Sequence, residues 1–259
     1  AGAASGCPEA QHFDGISWRQ GGSMPRVPAG RPGSGGAAGQ SENDAGSYGF
    51  NTTSDANCDV NNMYNGVVWT EGPLNPGGAT TQAAFGSSAF SSVVFGGGTG
   101  TDEFNGTAWN EVADLNVQRL NTFGFGSQNA GVAHSGKYAS PSAGRQCTEH
   151  YDGTTWTVAN ASLLAHQNGQ GGAYGTQNSA HSNSEGTDHQ SYDGVTWSRT
   201  VDSSVTRDYA GMSGNAQNAM MIGGYAPAPT YALNTVEVFH DAFISGSYLL
   251  TKKIGSNYS

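Results

Sequence analysis

Tyr151-Asp152-Gly153-Thr154-Thr155-Trp156 recurs along the chain that contains it. The other copies are Phe13-Asp14-Gly15-Ile16-Ser17-Trp18, Tyr64-Asn65-Gly66-Val67-Val68-Trp69, Phe104-Asn105-Gly106-Thr107-Ala108-Trp109 and Tyr192-Asp193-Gly194-Val195-Thr196-Trp197. A degraded sixth is Phe239-His240-Asp241-Ala242-Phe243-Ile244. All five tryptophans of the 259 residues occupy the same slot, at spacings of 51, 40, 47 and 41 residues. A period of that size signals repeated supersecondary units.

Each copy reads as a hairpin. Asp-Gly or Asn-Gly supplies the positive φ of a two-residue type I′ turn. In that register Glu149, Tyr151, Thr155 and Thr157 fall on one face, and His150, Trp156 and Val158 on the other. A second turn signal follows each tryptophan, a glycine leading small polar residues: Gly39, Gly86, Gly126, Gly175 and Gly214. Strand-like runs come next, ending in a diglycine at Gly96-Gly97 and Gly223-Gly224. The unit is therefore strand, Gly-turn, strand, Gly-rich loop, strand, Asp/Asn-Gly turn, strand. Four antiparallel strands in about 40–50 residues match one propeller blade.

The expected fold is all-β: a β-propeller of four-stranded antiparallel blades, one domain over residues 1–259. The repeat hairpins lie near 9–20, 60–71, 101–112, 148–158, 189–199 and 236–250. Six motif copies favour six blades. Five blades plus an extra N-terminal hairpin is the alternative, and a spare hairpin leaves an edge open to strand addition.

Gly96-Gly97, Phe104 and Trp109 resemble the Kelch-like β-propeller group, as do Gly223-Gly224 and Phe239 without the tryptophan. Thr101 to Trp109 is closest to Gly/Thr/Ala-rich repeat propellers encoded by phages of marine bacteria. The resemblance covers residues 9 to 244. It implies a non-enzymatic structural or adhesion protein at a virion surface or another extracellular site. The implied partners are other virion or surface proteins, and glycans, within an oligomeric assembly. The alternative is a secreted carbohydrate-binding or glycan-active propeller.

Composition agrees with a non-nucleic-acid role. Net charge is −10, with three lysines, so no nucleic acid and no anionic membrane is an expected partner. No run of 18 apolar residues exists, so no membrane insertion through a helix is expected. Forty glycines are explained by frequent turns.

The candidate chemistry is sparse. Asp14, Asn65, Asn105, Asp152, Asp193 and Asp241 form a repeated set, but turn geometry accounts for them. The tryptophans sit in strands and are expected to pack between blades. Loop aromatics are better ligand contacts: Tyr225 and Tyr231 in Tyr225-Ala226-Pro227-Ala228-Pro229-Thr230-Tyr231, then Tyr174 and Tyr138, with Tyr48 and Phe50 behind. His181, Glu185, Asp188 and His189 cluster without a compact metal-ligand spacing, so no metal is expected. Ser191 to Trp197 comes near the Asp-box of sialidase-type propellers. The seven arginines show no shared repeat position from which to build a carboxylate clamp. No catalytic set and no cofactor is expected. Cys7 and Cys58 lie six residues before their blade aromatics, so a disulfide between neighbouring repeats is one reading. Three unrelated thiols, including Cys147, is the other.

Overall fold

The computed structural model describes residues 9–14, 16–25, 35–41, 44–49, 61–77, 82–137, 145–165, 172–183, 186–208, 210–215, 218–226 and 231–240. It is an all-β propeller of five blades plus a small hairpin. The hairpin is β1 (Glu9–Phe13) and β2 (Trp18–Ser23). The first blade is β3 (Gly35–Ser41), β4 (Asp44–Gly49), β5 (Asn61–Tyr64) and β6 (Trp69–Glu71). The second is β7 (Gln82–Ser88), β8 (Ser91–Gly96), β9 (Thr101–Phe104) and β10 (Trp109–Glu111). The third is β11 (Phe123–Ser127), β12 (Ala130–His134), β13 (Thr148–Tyr151) and β14 (Trp156–Ala159). The fourth is β15 (Gly172–Thr176), β16 (Ser179–Asn183), β17 (His189–Tyr192) and β18 (Trp197–Arg199). The fifth has three strands among the described residues: β19 (Gly211–Asn215), β20 (Asn218–Ile222) and β23 (Val236–His240). Its second connection carries a two-stranded insert, β21 (Tyr225–Ala226) and β22 (Tyr231–Ala232).

The favoured count of six gives way to five. The first motif copy forms only β1 and β2, and among the described residues no inner strand pairs with β1. Within each blade the strands are antiparallel and follow chain order. Inner strands of successive blades pack side by side: β3 on β7, β7 on β11, β11 on β15, β15 on β19.

The turn type also differs from expectation. Tyr151 pairs with Trp156, leaving four residues in the loop. Gly153 has φ 93°, but Asp152 is not in the left-handed region, so this is not a type I′ turn. Asp152 Oδ1 accepts the amides of Thr154 (2.8 Å) and Thr155 (2.7 Å), and the loop closes around that side chain. Asp14, Asn65, Asn105 and Asp193 do the same in their copies. The longer loop also changes the faces. Tyr151 and Trp156 share one side, with ring centroids 4.8 Å apart. The same aromatic pair forms at Phe13–Trp18, Tyr64–Trp69, Phe104–Trp109 and Tyr192–Trp197.

The core lies at the seams between blades. Phe85 and Phe95 of the second blade pack with Tyr151 and Trp156 of the third. Phe125 and Val132 of the third pack with Ala180, Tyr192 and Trp197 of the fourth. Tyr174 of the fourth packs with Ala219, Met221 and Phe239 of the fifth. Trp156 and Trp197 are buried at these seams, as expected of inter-blade packing. Trp69 and Trp109 are half-buried, and Trp18 is exposed.

The five turn glycines are required by close approach. A Cβ on Gly126 (φ 113°) would overlap the Ala130 carbonyl oxygen, and Gly39, Gly86, Gly175 and Gly214 meet the facing strand in the same way. Gly98, in the next loop of the second blade, has open space around it. We expect Gly126→Ala to destabilise the fold by about 2 kcal/mol or more and Gly98→Ala to be near neutral, read as urea midpoints.

A tryptophan ladder also crosses the seams. Trp156 Nε1 donates to Thr101 Oγ1 of the preceding blade (3.1 Å), and Trp197 Nε1 to Thr148 Oγ1 (3.0 Å). Ala10 holds the threonine slot in the hairpin, three residues before the motif aromatic, and the buried Trp69 Nε1 has no partner. Ala10→Thr should therefore stabilise the protein by about 1 kcal/mol in the same assay.

Candidate functional site

The two faces of the propeller carry different loops. Gly106 approaches Phe90, Gly153 approaches Asn129 and Gly194 approaches Asn178. The motif turns and the inner-hairpin turns therefore share one face. The opposite face carries the inter-blade linkers and the loops between second and third strands. There they join through short bridges, Leu120 to Lys137 and Asp208 to Tyr225.

The β21–β22 hairpin stands on this second face. Asp208 and Tyr225 exchange both backbone hydrogen bonds (2.8 and 2.7 Å), and Leu233 N donates to the Gly224 carbonyl (2.9 Å). Those bonds hold the hairpin base while Tyr225 remains 47% exposed. Tyr231 lies on β22 opposite Ala226. The sequence-predicted loop is thus a short, anchored hairpin with an exposed aromatic.

The other expected contacts distribute differently. Tyr174 is not a loop residue. It sits on β15, is buried at the seam with the fifth blade and stacks on His181. Strand alternation turns it into the core, a direction the surrounding Gly-Ala-Tyr-Gly composition did not reveal. Tyr48 lies on β4. Tyr138, Phe50, Cys7, Cys58, Glu185 and Asp241 lie outside the described residues. Cys147 is half-buried with its thiol outside any disulfide.

The described members of the histidine cluster, His181, Asp188 and His189, do not share one site. His181 and His189 are buried with ring centroids 5.7 Å apart. Asp188 instead pairs with Arg199. Among the described residues no group of three or more His, Cys, Asp or Glu is placed to hold a metal ion.

Two arginines share a repeat position after all. Arg119 and Arg207 each lie ten residues after their tryptophan, Trp109 and Trp197. Each is fully buried and pairs with a glutamate of the following blade, Arg119 with Glu149 and Arg207 with Glu237. They do not converge on one site. Arg119 Nη1 also donates to the Cys147 carbonyl (3.1 Å), and Arg207 Nη1 to the Gly223 carbonyl (2.8 Å).

These glutamates expose a residue class that the repeat analysis missed. The position two before the motif aromatic is Gln11, Asn62, Asp102, Glu149, Gln190 and Glu237, an amide or carboxylate in every copy. In the five blades it is buried. Glu149 accepts the linker amides of Asn116 (2.8 Å) and Val117 (3.2 Å), Gln190 accepts Leu163 N (3.1 Å) and Glu237 accepts Ser204 N (2.8 Å). Burial, with Glu111 and Asp114 nearby, raises the Asp102 carboxyl above its ordinary range.

The motif-turn carboxylates are spoken for as well. The amides of Ser17 and Ile16 hold Asp14 below the ordinary carboxylate range, as those of Thr155 and Thr154 hold Asp152, and Thr196 and Val195 hold Asp193. A carboxylate already accepting two amides is a turn cap, not a general base.

The class this architecture defines is the β-propeller. The sequence matches no protein-family profile and no curated protein. Among the described residues no helix is long and apolar enough to cross a membrane.

The clamp makes a testable claim about charge. Arg119→Met leaves Glu149 buried without its counter-ion and should cost about 3–5 kcal/mol. Adding Glu149→Gln should recover much of that loss, because Gln190 performs the same capture in the fourth blade without an arginine. Urea unfolding of the two single variants and the double variant measures both effects.

Proposed function

We propose that this chain is a non-enzymatic structural or adhesion protein at a virion surface, acting as decoration, tail fibre or fibre tip. The observation that carries the reading is the anchored β21–β22 hairpin, which presents exposed Tyr225 from a rigid scaffold. Both buried arginine–glutamate pairs are internal to the fold. The Kelch-like assignment is supported by paired left-handed residues after the second strand, Gly96-Gly97, Ser135-Gly136 and Gly223-Gly224. Ser135 in that slot shows how a diglycine position persists where the sequence no longer spells it. Many copies on one particle would convert weak contacts with surface proteins or glycans into avidity.

Tyr225 also favours the second reading, a secreted carbohydrate-binding propeller, because an exposed ring is a stacking platform for a sugar face. One pair of measurements separates the two. Peptide mass spectrometry of density-purified particles should find the protein at stoichiometric levels, and its restriction to the soluble or cell-surface fraction would sink the virion reading. Tyr225→Ala should weaken attachment to the host surface or glycan about tenfold, a loss of about 1.4 kcal/mol, with the unfolding midpoint unchanged.

A further inference from the structure

Three histidines are buried on the flanks of the fourth blade. On one flank His134, from β12, stacks on Trp197 at 4.3 Å. Its Nε2 lies 3.1 Å from Ser182 Oγ and 3.4 Å from Gln190 Nε2. On the other flank His181, from β16, stacks on Tyr174, and His189, from β17, packs on Phe239 of the fifth blade at 4.7 Å. All three imidazoles are at least nine-tenths buried. Among the described residues, the seams between the first and second blades and between the second and third hold no histidine.

The surroundings suit a neutral ring. His189 faces His181 on β16 and Phe239 on β23. The charged group acting on it from the segment after β18 is Asp202, and the Val201 carbonyl accepts from its ring. Glu237 on β23 is engaged by Arg207. His189 Nε2 is buried without a partner, so a proton there would have no acceptor.

We propose that the seam between the fourth and fifth blades is acid-released: protonation of His189 opens it before the seams between the first and second and between the second and third blades yield. Burial first, and then His181, depress the His189 imidazole to about 4. The open state restores the ordinary value of about 6.5. A depressed histidine stabilises the closed seam fully above about pH 6.5, and that contribution is lost as pH falls toward 4. The device is independent of the ligand and of the particle on which the protein acts.

Hydrogen exchange of the whole chain at pH 7.5 and pH 5.0, corrected for intrinsic amide chemistry, tests it blade by blade. His189 alone should raise the opening constant at the fourth–fifth seam about 30-fold between those conditions. Amides of β15 to β18, β20 and β23 should deprotect while those of β7 to β11 do not. His189→Gln should remove most of the rise at the fourth–fifth seam. An equal rise in every blade, or none in the fourth, overturns the proposal. If the variant fails to fold, the wild-type map alone decides between these outcomes.

Discussion

The capture of the incoming linker by a buried acceptor on the third strand, made at the third, fourth and fifth blades, is the interaction on which the rest of this propeller depends. A chain leaving the outer strand of one blade must cross to the inner strand of the next. That crossing buries backbone amides which no sheet can satisfy, and an orphaned amide costs about 1–3 kcal/mol. Glu149 satisfies the amides of Asn116 and Val117, Gln190 that of Leu163 and Glu237 that of Ser204. At two of these seams the tryptophan of one blade reaches the threonine of the blade before it. The neutral and charged forms solve one problem at different cost. Gln190 needs no counter-ion, whereas Glu149 and Glu237 each bring an arginine from the linker they hold. The arginines in turn bind carbonyls at the loop corners.

Much of this was legible in the sequence because the constraints are geometric. Gly126 and its counterparts are glycine since a facing carbonyl oxygen occupies the Cβ position, and such a position tolerates little else. The motif aromatic and tryptophan recur because they stack on one another and fill the seam. The turn type was misread for a physical reason. Asp-Gly is the signature of a two-residue turn, but here the aspartate side chain, not a left-handed backbone, closes a four-residue loop. That difference reversed the face assigned to Trp156. The clamp slot was visible as a column of Asn, Asp, Gln and Glu, but its varied chemistry hid it from a search for identical residues. Arg119 and Arg207 were hidden by spacing, since their common reference is the tryptophan and not the following aromatic. Burial of Tyr174 depended on strand alternation within a glycine-rich stretch where hydrophobic periodicity is faint.

The same packing logic narrows what the molecule offers to a partner. Its most distinctive acids, bases and arginines are spent inside the fold, on turns, linkers and seams. What projects with an anchored base is the β21–β22 hairpin, inserted in one blade and absent from the other blades' described loops. A repeated scaffold with one blade decorated behaves as a platform, since the regular blades supply rigidity and the irregular one supplies distinction.

The amino-terminal hairpin fits this scheme as a working half-blade. At three seams a tyrosine hydroxyl at the motif aromatic meets a polar side chain beside the preceding copy's aromatic, whereas Ser191 precedes a seam whose aromatic is Phe239. His12 meets Tyr64, Glu103 meets Tyr151 and His150 meets Tyr192. Where the preceding residue is Met63, the aromatic is Phe104, which asks for no hydrogen bond. The hairpin makes this contact toward the first blade, and its Phe13–Trp18 pair has the same stacking distance as Tyr64–Trp69. It therefore supplies part of a seam to the first blade, lacking the threonine that would accept from Trp69. Substitutions at His12 would be felt through Tyr64 in the neighbouring sheet.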